Sequence, residues 1–165
     1  MKVKNLAKDK VEIIEFESRL AKDFARLNYE WIEEYFSIEP HDREMLDAPE
    51  DYIINCGGQI FFASLNDKIV GTAALIAVGN DSFELAKMAV ASGFRGLKIG
   101  DALMSACIQY SEKKGIKRIF LLSHTKLVPA INLYRKFGFE EIPLDSEIPY
   151  QRPDIQMELN FPAVS

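Results

Sequence analysis

The chain has 165 residues, which suits one domain over 1–165 and leaves little room for two. Its hydrophobic content of 48% is enough for a core, and its formal net charge of -5 excludes generic nucleic-acid binding, which needs a basic face. No apolar run approaches the ~20 residues that span a bilayer, so no membrane partner is expected.

Residues 1–10 are charged and lack the apolar stretch of a signal peptide. Val11, Ile13, Ile14 and Phe16 predict a first strand over 10–16. Leu20, Phe24, Leu27, Trp31 and Tyr35 recur at helical spacing and predict a helix over 18–36. Pro40 and Pro49 bracket a polar connection with a short helical turn. Gln59–Leu65 and Lys68–Val78 read as strands joined by Asn66-Asp67, which is tight-hairpin chemistry. A further strand covers Ser82–Val90. The next helix starts near Ile99 and ends before Gly115, a glycine placed where a helix C-terminus favours one. Arg118–Ser123 reads as a short buried strand, Pro129 opens a helix that ends at Gly138, and 139–142 and 154–159 close the chain as strands. This order predicts an α/β domain with a mixed sheet.

Two cysteines, Cys56 and Cys107, stand far apart with no CxxC pair, and His41 and His124 are the only histidines. No zinc site is expected from that set, and the expected compartment is reducing and cytoplasmic.

The stretch from Phe83 to Gly100 carries the chemistry. A strand leads into a loop, and Arg95-Gly96-Leu97-Lys98-Ile99-Gly100 then opens a helix. Helix N-termini present unpaired N–H groups and a positive dipole end, and small residues let a pyrophosphate approach them. GxGxxG is absent, and so is a Gly-Lys-Ser/Thr loop, which removes the dinucleotide and kinase-type readings.

The turn resembles that of the GNAT superfamily of N-acetyltransferases, whose pattern is Gln/Arg-x-x-Gly-x-Gly/Ala. Arg95 and Gly100 match, Lys98 occupies the central glycine position, and Gly96 sits two residues earlier. A second match follows the strand at Arg118–Ser123. Ala130, Leu133, Tyr134, Gly138 and Phe139 are similar to the family's A-x-x-L-Y-x-x-x-G-F element, with Leu127 where the family usually has asparagine.

The resemblance implies a single GNAT-like domain with a mixed, mostly antiparallel, splayed central sheet flanked by helices. It implies acetyl-CoA as cosubstrate, no metal, an amine-bearing acceptor and a homodimer. It places the Tyr134 hydroxyl near the thioester sulfur as the acid that protonates the departing thiolate. It makes Glu84 the general base, since a glutamate at that offset before the turn serves so in the family. A carboxylate on a half-buried strand has its pKa pushed upward, which suits that task. Strand alternation puts Glu84, Ala86 and Met88 on one face, and Phe83, Leu85 and Lys87 on the other. The resemblance assigns the backbone of Met88, Ala89 and Val90 to the cosubstrate's pantetheine and the turn Arg95, Gly96, Leu97, Lys98, Ile99 and Gly100 to its pyrophosphate.

His124, just past a strand end, lies closer to this site than His41 does. Glu30, Glu33, Glu34, Glu39 and Asp42 read as a solvated acidic face or as an attractant for a cationic acceptor. Arg152 is a candidate for binding an acceptor carboxylate. The alternatives are a non-catalytic acyl-CoA sensor, and an acetyltransferase acting on a protein lysine or N-terminus rather than a small molecule.

Overall fold

The computed structural model describes residues 10–162, so the expectation for residues 1–9 lies outside the described residues. Seven strands form one sheet: β1 (Glu12–Glu15), β2 (Gln59–Leu65), β3 (Lys68–Val78), β4 (Ser82–Val90), β5 (Arg118–Ser123), β6 (Glu140–Ile142) and β7 (Ile155–Asn160). Their spatial order is β1-β2-β3-β4-β5-β7-β6, antiparallel throughout except for the parallel pair β4–β5. Between them run α1 (Ala21–Tyr35), α2 (Pro40–Asp47), α3 (Ile99–Lys113) and α4 (Val128–Lys136).

Period-two alternation in the strands sorts the core into two halves. Phe61, Leu75, Phe83 and Leu121 meet Ile99, Leu103, Met104 and Cys107 of α3 on one face. Ile60, Phe62 and Ala74 meet Phe24 and Ile32 of α1 and Met45 and Leu46 of α2 on the other. The sheet is therefore buried on both sides. That explains why β3 reads as an almost unbroken apolar run.

Local chemistry explains most of the joints. Asn66 and Asp67 both adopt positive φ, 52° and 64°, the conformation a two-residue hairpin turn demands. The connection between the prolines is more structured than its polarity suggests. Glu39 and Asp42 form a reciprocal capping box, Pro40 supplies the first turn, and a full helix results, followed by a wide π-turn at Glu50–Ile54.

Three features place the cleft. First, β4 and β5 pair only as far as Leu85 with Leu121, and β4 then continues alone through residues 86–90 on that side. Second, Ala74 pairs with Ala86 but Thr72 pairs with Ala89, so Ala73 faces two residues, Lys87 and Met88. This β-bulge, with Lys87 at φ 53°, overturns the simple alternation. Lys87 joins Glu84 on the α1–α2 side, where it reaches Asp42, while Met88 packs with the α3 core. Third, Gly71 lets α3 lie close to β3. A Cβ there would stand 2.9 Å from Ile99 Cγ2 and 3.2 Å from Leu103 Cδ1, so a larger residue pushes the start of α3 away.

Lys98, the residue before α3, takes the left-handed conformation with φ 61° and ψ 26°. A side chain there costs ~1–2 kcal/mol, and glycine returns part of that gain through its freer unfolded chain. Lys98→Gly therefore stabilises the fold by about 1 kcal/mol and raises Tm by about 2–4 °C. Thermal unfolding of the two proteins checks this; an unchanged or lower Tm contradicts it.

Candidate functional site

Where β4 parts from β5 a cavity of about 520 Å³ opens, bounded by β4, the start of α3, α4 and the end of α1. Along its floor the backbone of residues 86–90 has no β5 partner, leaving N–H and C=O groups turned to the cavity. At one end lies the N-terminus of α3, which no side chain caps. Its first N–H groups are thus open to an anion. Gly100 sits in that first turn, where a Cβ would come within 3.2 Å of Leu133 Cδ2 on α4. The small residue keeps α3 and α4 close while leaving the helix end bare.

Met88, Ala89 and Val90 line this cavity, as do the expected turn residues except Leu97, whose side chain is 53% exposed outside it. Arg95 is already engaged. Its guanidinium makes two hydrogen bonds to Glu34, 3.0 and 2.9 Å, and another to the Tyr35 hydroxyl at 3.3 Å, and its Nε donates to Val90 O at 3.3 Å. The Arg95 hydrogen bond holds the Glu34 carboxyl below the usual carboxylate range. Arg95 therefore fastens the turn to α1. The groups at this turn left open to an anion are the backbone N–H groups and Lys98, which is exposed beside them.

Glu84 and Tyr134 both line the cavity, one from β4 and one from α4. Burial pushes the Glu84 carboxyl above its ordinary value, and the Lys87 charge pulls it partly back. Burial pushes the Tyr134 phenol up to about 12, against the pull of its hydrogen bond with Ser123. Tyr134 is thus a neutral hydroxyl at physiological pH, and Glu84 is a carboxyl tuned toward proton exchange.

Behind Glu84 lies a polar cluster that the sequence conceals. The Asp42 side chain is 0% exposed and that of Lys87 6%. Lys87 Nζ donates to Asp42 Oδ1 at 2.7 Å and to the Tyr150 hydroxyl at 2.6 Å. Arg152 also pairs with Asp42, and its Nη2 donates to Ser37 O at 3.1 Å. Burial pushes the Asp42 carboxyl up, but hydrogen bonds from Arg152 and Lys87 outweigh it and hold it below its ordinary value. Burial also pulls the Lys87 ammonium down, against Asp42. Asp42 is thus the anchor of a buried network rather than part of a solvated face, and Arg152 is committed to Asp42 and Glu39 rather than free for an acceptor. The signal in the sequence was a lysine inside the otherwise apolar end of β4.

Both histidines are engaged by neighbours. His124 borders the cavity, meets the Phe36 ring in a tilted contact at 5.7 Å and lies 3.5 Å from Asp154. His41 meets Glu44 at 3.3 Å and the edge of Tyr150. Among the described residues no group of three or more His, Cys, Asp or Glu is placed to hold a metal, and no helix is long and apolar enough to cross a membrane.

Comparison with known proteins agrees with this geometry. The model of the Acetyltransferase (GNAT) family matches residues 25–139. An uncharacterized N-acetyltransferase of Schizosaccharomyces pombe is 30% identical over 122 residues, 72% of this chain and 75% of that protein. Rat N-acetyltransferase 8B is 27% identical over 59% of this chain, which spans only 46% of that protein. A crystal structure of a GNAT-family acetyltransferase from Staphylococcus aureus Mu50 superposes with a TM-score of 0.82 at 29% identity, over 92% of this chain and 99% of that one. The PaiA N-acetyltransferase of Thermoplasma acidophilum, crystallised in complex with coenzyme A, shares the fold with a TM-score of 0.73 at 21% identity, over 92% and 99% of the two chains. A splayed sheet, an uncapped helix start at the splay, and a family match across both make the conclusion direct: this chain belongs to the GNAT family of acetyltransferases.

Proposed function

We propose that the chain transfers the acetyl group of acetyl-CoA to a primary amine of a small molecule by direct attack on the thioester. The observation that carries this reading is the shared cavity. Glu84 and Tyr134, on different walls, face a space that also holds the bare β4 edge and the uncapped start of α3. In this reading the N–H groups of the α3 turn hold the pyrophosphate, and residues 86–90 hold the pantetheine as an added strand would. A backbone N–H at Met88 to Val90 polarises the thioester carbonyl.

Glu84 takes a proton from the acceptor ammonium and passes it to solvent. The freed amine forms the C–N bond and the C–S bond breaks. The nitrogen's second proton balances the one that Tyr134 gives to the CoA sulfur. The raised carboxyl suits accepting a proton near neutral pH, and the raised phenol keeps its proton on the oxygen there, so the hydroxyl reaches the departing sulfur still protonated. A small acceptor is favoured by the ties across one side of the cleft. Gln151 N donates to Glu39 at 3.2 Å, and Arg152 to Ser37 O, joining the β6–β7 loop to the α1–α2 connection. A polypeptide would have to part them.

Tyr134→Phe keeps the ring and its packing but removes the proton donor. It lowers kcat by roughly 10²-fold, the low end for general acid catalysis, because a thiolate leaves tolerably unprotonated. Acetyl-CoA affinity stays within a few-fold of the parent. Wild-type kcat, measured where chemistry limits turnover, removes Tyr134 from the mechanism.

Glu84→Gln separates activity from stability. A carboxyl whose folded pKa is raised favours the folded state below its unfolded value and loses that contribution as pH rises through the folded value. As pH rises above the unfolded value the wild type loses it, and glutamine never does. The variant therefore melts higher than the parent at pH 7.5, the gap closes near pH 4, and kcat/KM falls by ~10²-fold or more. A variant that melts lower at pH 7.5 with unchanged activity contradicts the assignment.

A further inference from the structure

Five cations of the described residues border the cavity: Lys87, Arg95, Lys98, Lys126 and Arg152. Four are committed. Lys87 is held by Asp42 and Tyr150, Arg95 by Glu34, and Arg152 by Asp42, Glu39 and Ser37 O. Lys126 Nζ donates to Tyr35 O at 3.0 Å and lies 4.1 Å from the Phe36 ring centroid. Lys98 stands at the opening of α3, on the anion-holding turn. The acids bordering the cavity are Glu84 and Asp101, and Asp101 pairs with Lys136. Glu84 is thus the one carboxyl there without an ion-pair partner among the described residues. The wall beside it is aromatic: Trp31, Tyr35 and Phe36 from the end of α1, and Tyr150 from the β6–β7 loop. The Trp31 ring lies 5.4 Å from Tyr35 and 6.1 Å from Phe36, so this wall is continuous.

Resting on the acetyltransferase reading above, we infer that the acceptor is a monoamine with an aromatic or other apolar body and no acid group. Its ammonium meets Glu84, and its body lies on the α1 aromatics, whose faces favour apolar and cationic groups. An acceptor carboxylate finds only Lys98, on the anion-holding turn, and Lys126, already held by Tyr35 O, without a carboxylate partner among the described residues lining the cavity. To engage the Arg152 fork it must compete with Asp42, whose fully buried carboxylate also holds Lys87, and the one Arg152 nitrogen without a partner, Nε, is itself buried. A second ammonium likewise finds no unpaired carboxyl in the cavity.

The test compares three acceptors that share one ring and one amine: 2-phenylethylamine, L-phenylalanine and L-phenylalanine methyl ester, each at saturating acetyl-CoA, with thiol release as the readout. The expected order is 2-phenylethylamine above L-phenylalanine by on the order of 10²-fold in kcat/KM, because a charged group is left unpaired. The methyl ester, which removes the charge and keeps the bulk, recovers most of that loss. In Asp42→Asn, which frees the Arg152 fork, the gap between amine and amino acid narrows at least 10-fold. Should that variant fail to fold, the three wild-type values still decide. L-Phenylalanine equal to or better than 2-phenylethylamine overturns the inference. So does acetylation of neither amine by a protein whose melting temperature rises with millimolar acetyl-CoA, and that outcome leaves the acetyl-CoA reading standing. No melting shift at all removes both.

Discussion

The site depends on the parting of β4 from β5. Parallel pairing stops at Leu85 and Leu121; of the next five residues of β4, Ala86, Ala89 and Val90 keep β3 partners, and none has a partner on the other side. A strand edge inside a protein must find hydrogen-bond partners, and here the cavity supplies the space for a ligand to provide them. The same divergence brings the α3 N-terminus to the cavity, because the loop after Val90 turns straight into that helix. Gly71 and Gly100 then let α3 settle against β3 and α4 without a side chain over the helix end. Strand edge, helix start and small residues are consequences of one break in the sheet.

The bulge at Lys87 is the second consequence. It turns a lysine into the α1–α2 face beside Glu84, where burial of its charge requires a partner. Asp42 meets that requirement and is itself fixed by the α2 capping box and by Arg152. One carboxylate thereby joins α2, β4 and the β6–β7 loop. Removing one member of such a buried pair costs ~3–5 kcal/mol, whereas the intact set is near balance. The network fixes the shape of the cleft beside Glu84 more than it adds to stability. Its charges also set the field at Glu84, since Lys87 opposes the upward push of burial.

Much of this was legible in the chain. The strand–turn–helix at Phe83 to Gly100, the hairpin at Asn66-Asp67, and the proline-opened helix before Tyr134 follow from local chemistry that sequence displays directly. Tyr134 and Glu84, which line the cavity, could be singled out because each stands at a fixed offset from such a landmark. What escaped were long-range pairings. Nothing local indicates that Lys87 sits at a bulge, because a bulge is set by the register of the partner strand. Nor does the acidity of residues 30–42 reveal that Asp42 is buried while Glu34 grips Arg95, since their partners lie 45 to 110 and 61 positions away. Arg152, open to an acceptor by its chemistry alone, is already taken by those same long-range contacts.

The central claim is that the splay and the bare start of α3 hold acetyl-CoA. Calorimetric titration of acetyl-CoA into the wild type and into Gly100→Glu tests it directly. Gly100 borders the cavity in the first turn of α3, and a glutamate there brings bulk and negative charge to the position assigned to the pyrophosphate. The Leu133 methyl 3.2 Å away ends a flexible side chain, so the variant can fold. The account predicts that affinity falls by on the order of 10²-fold or more in a variant with a cooperative melt. An unchanged Kd in that folded variant contradicts it.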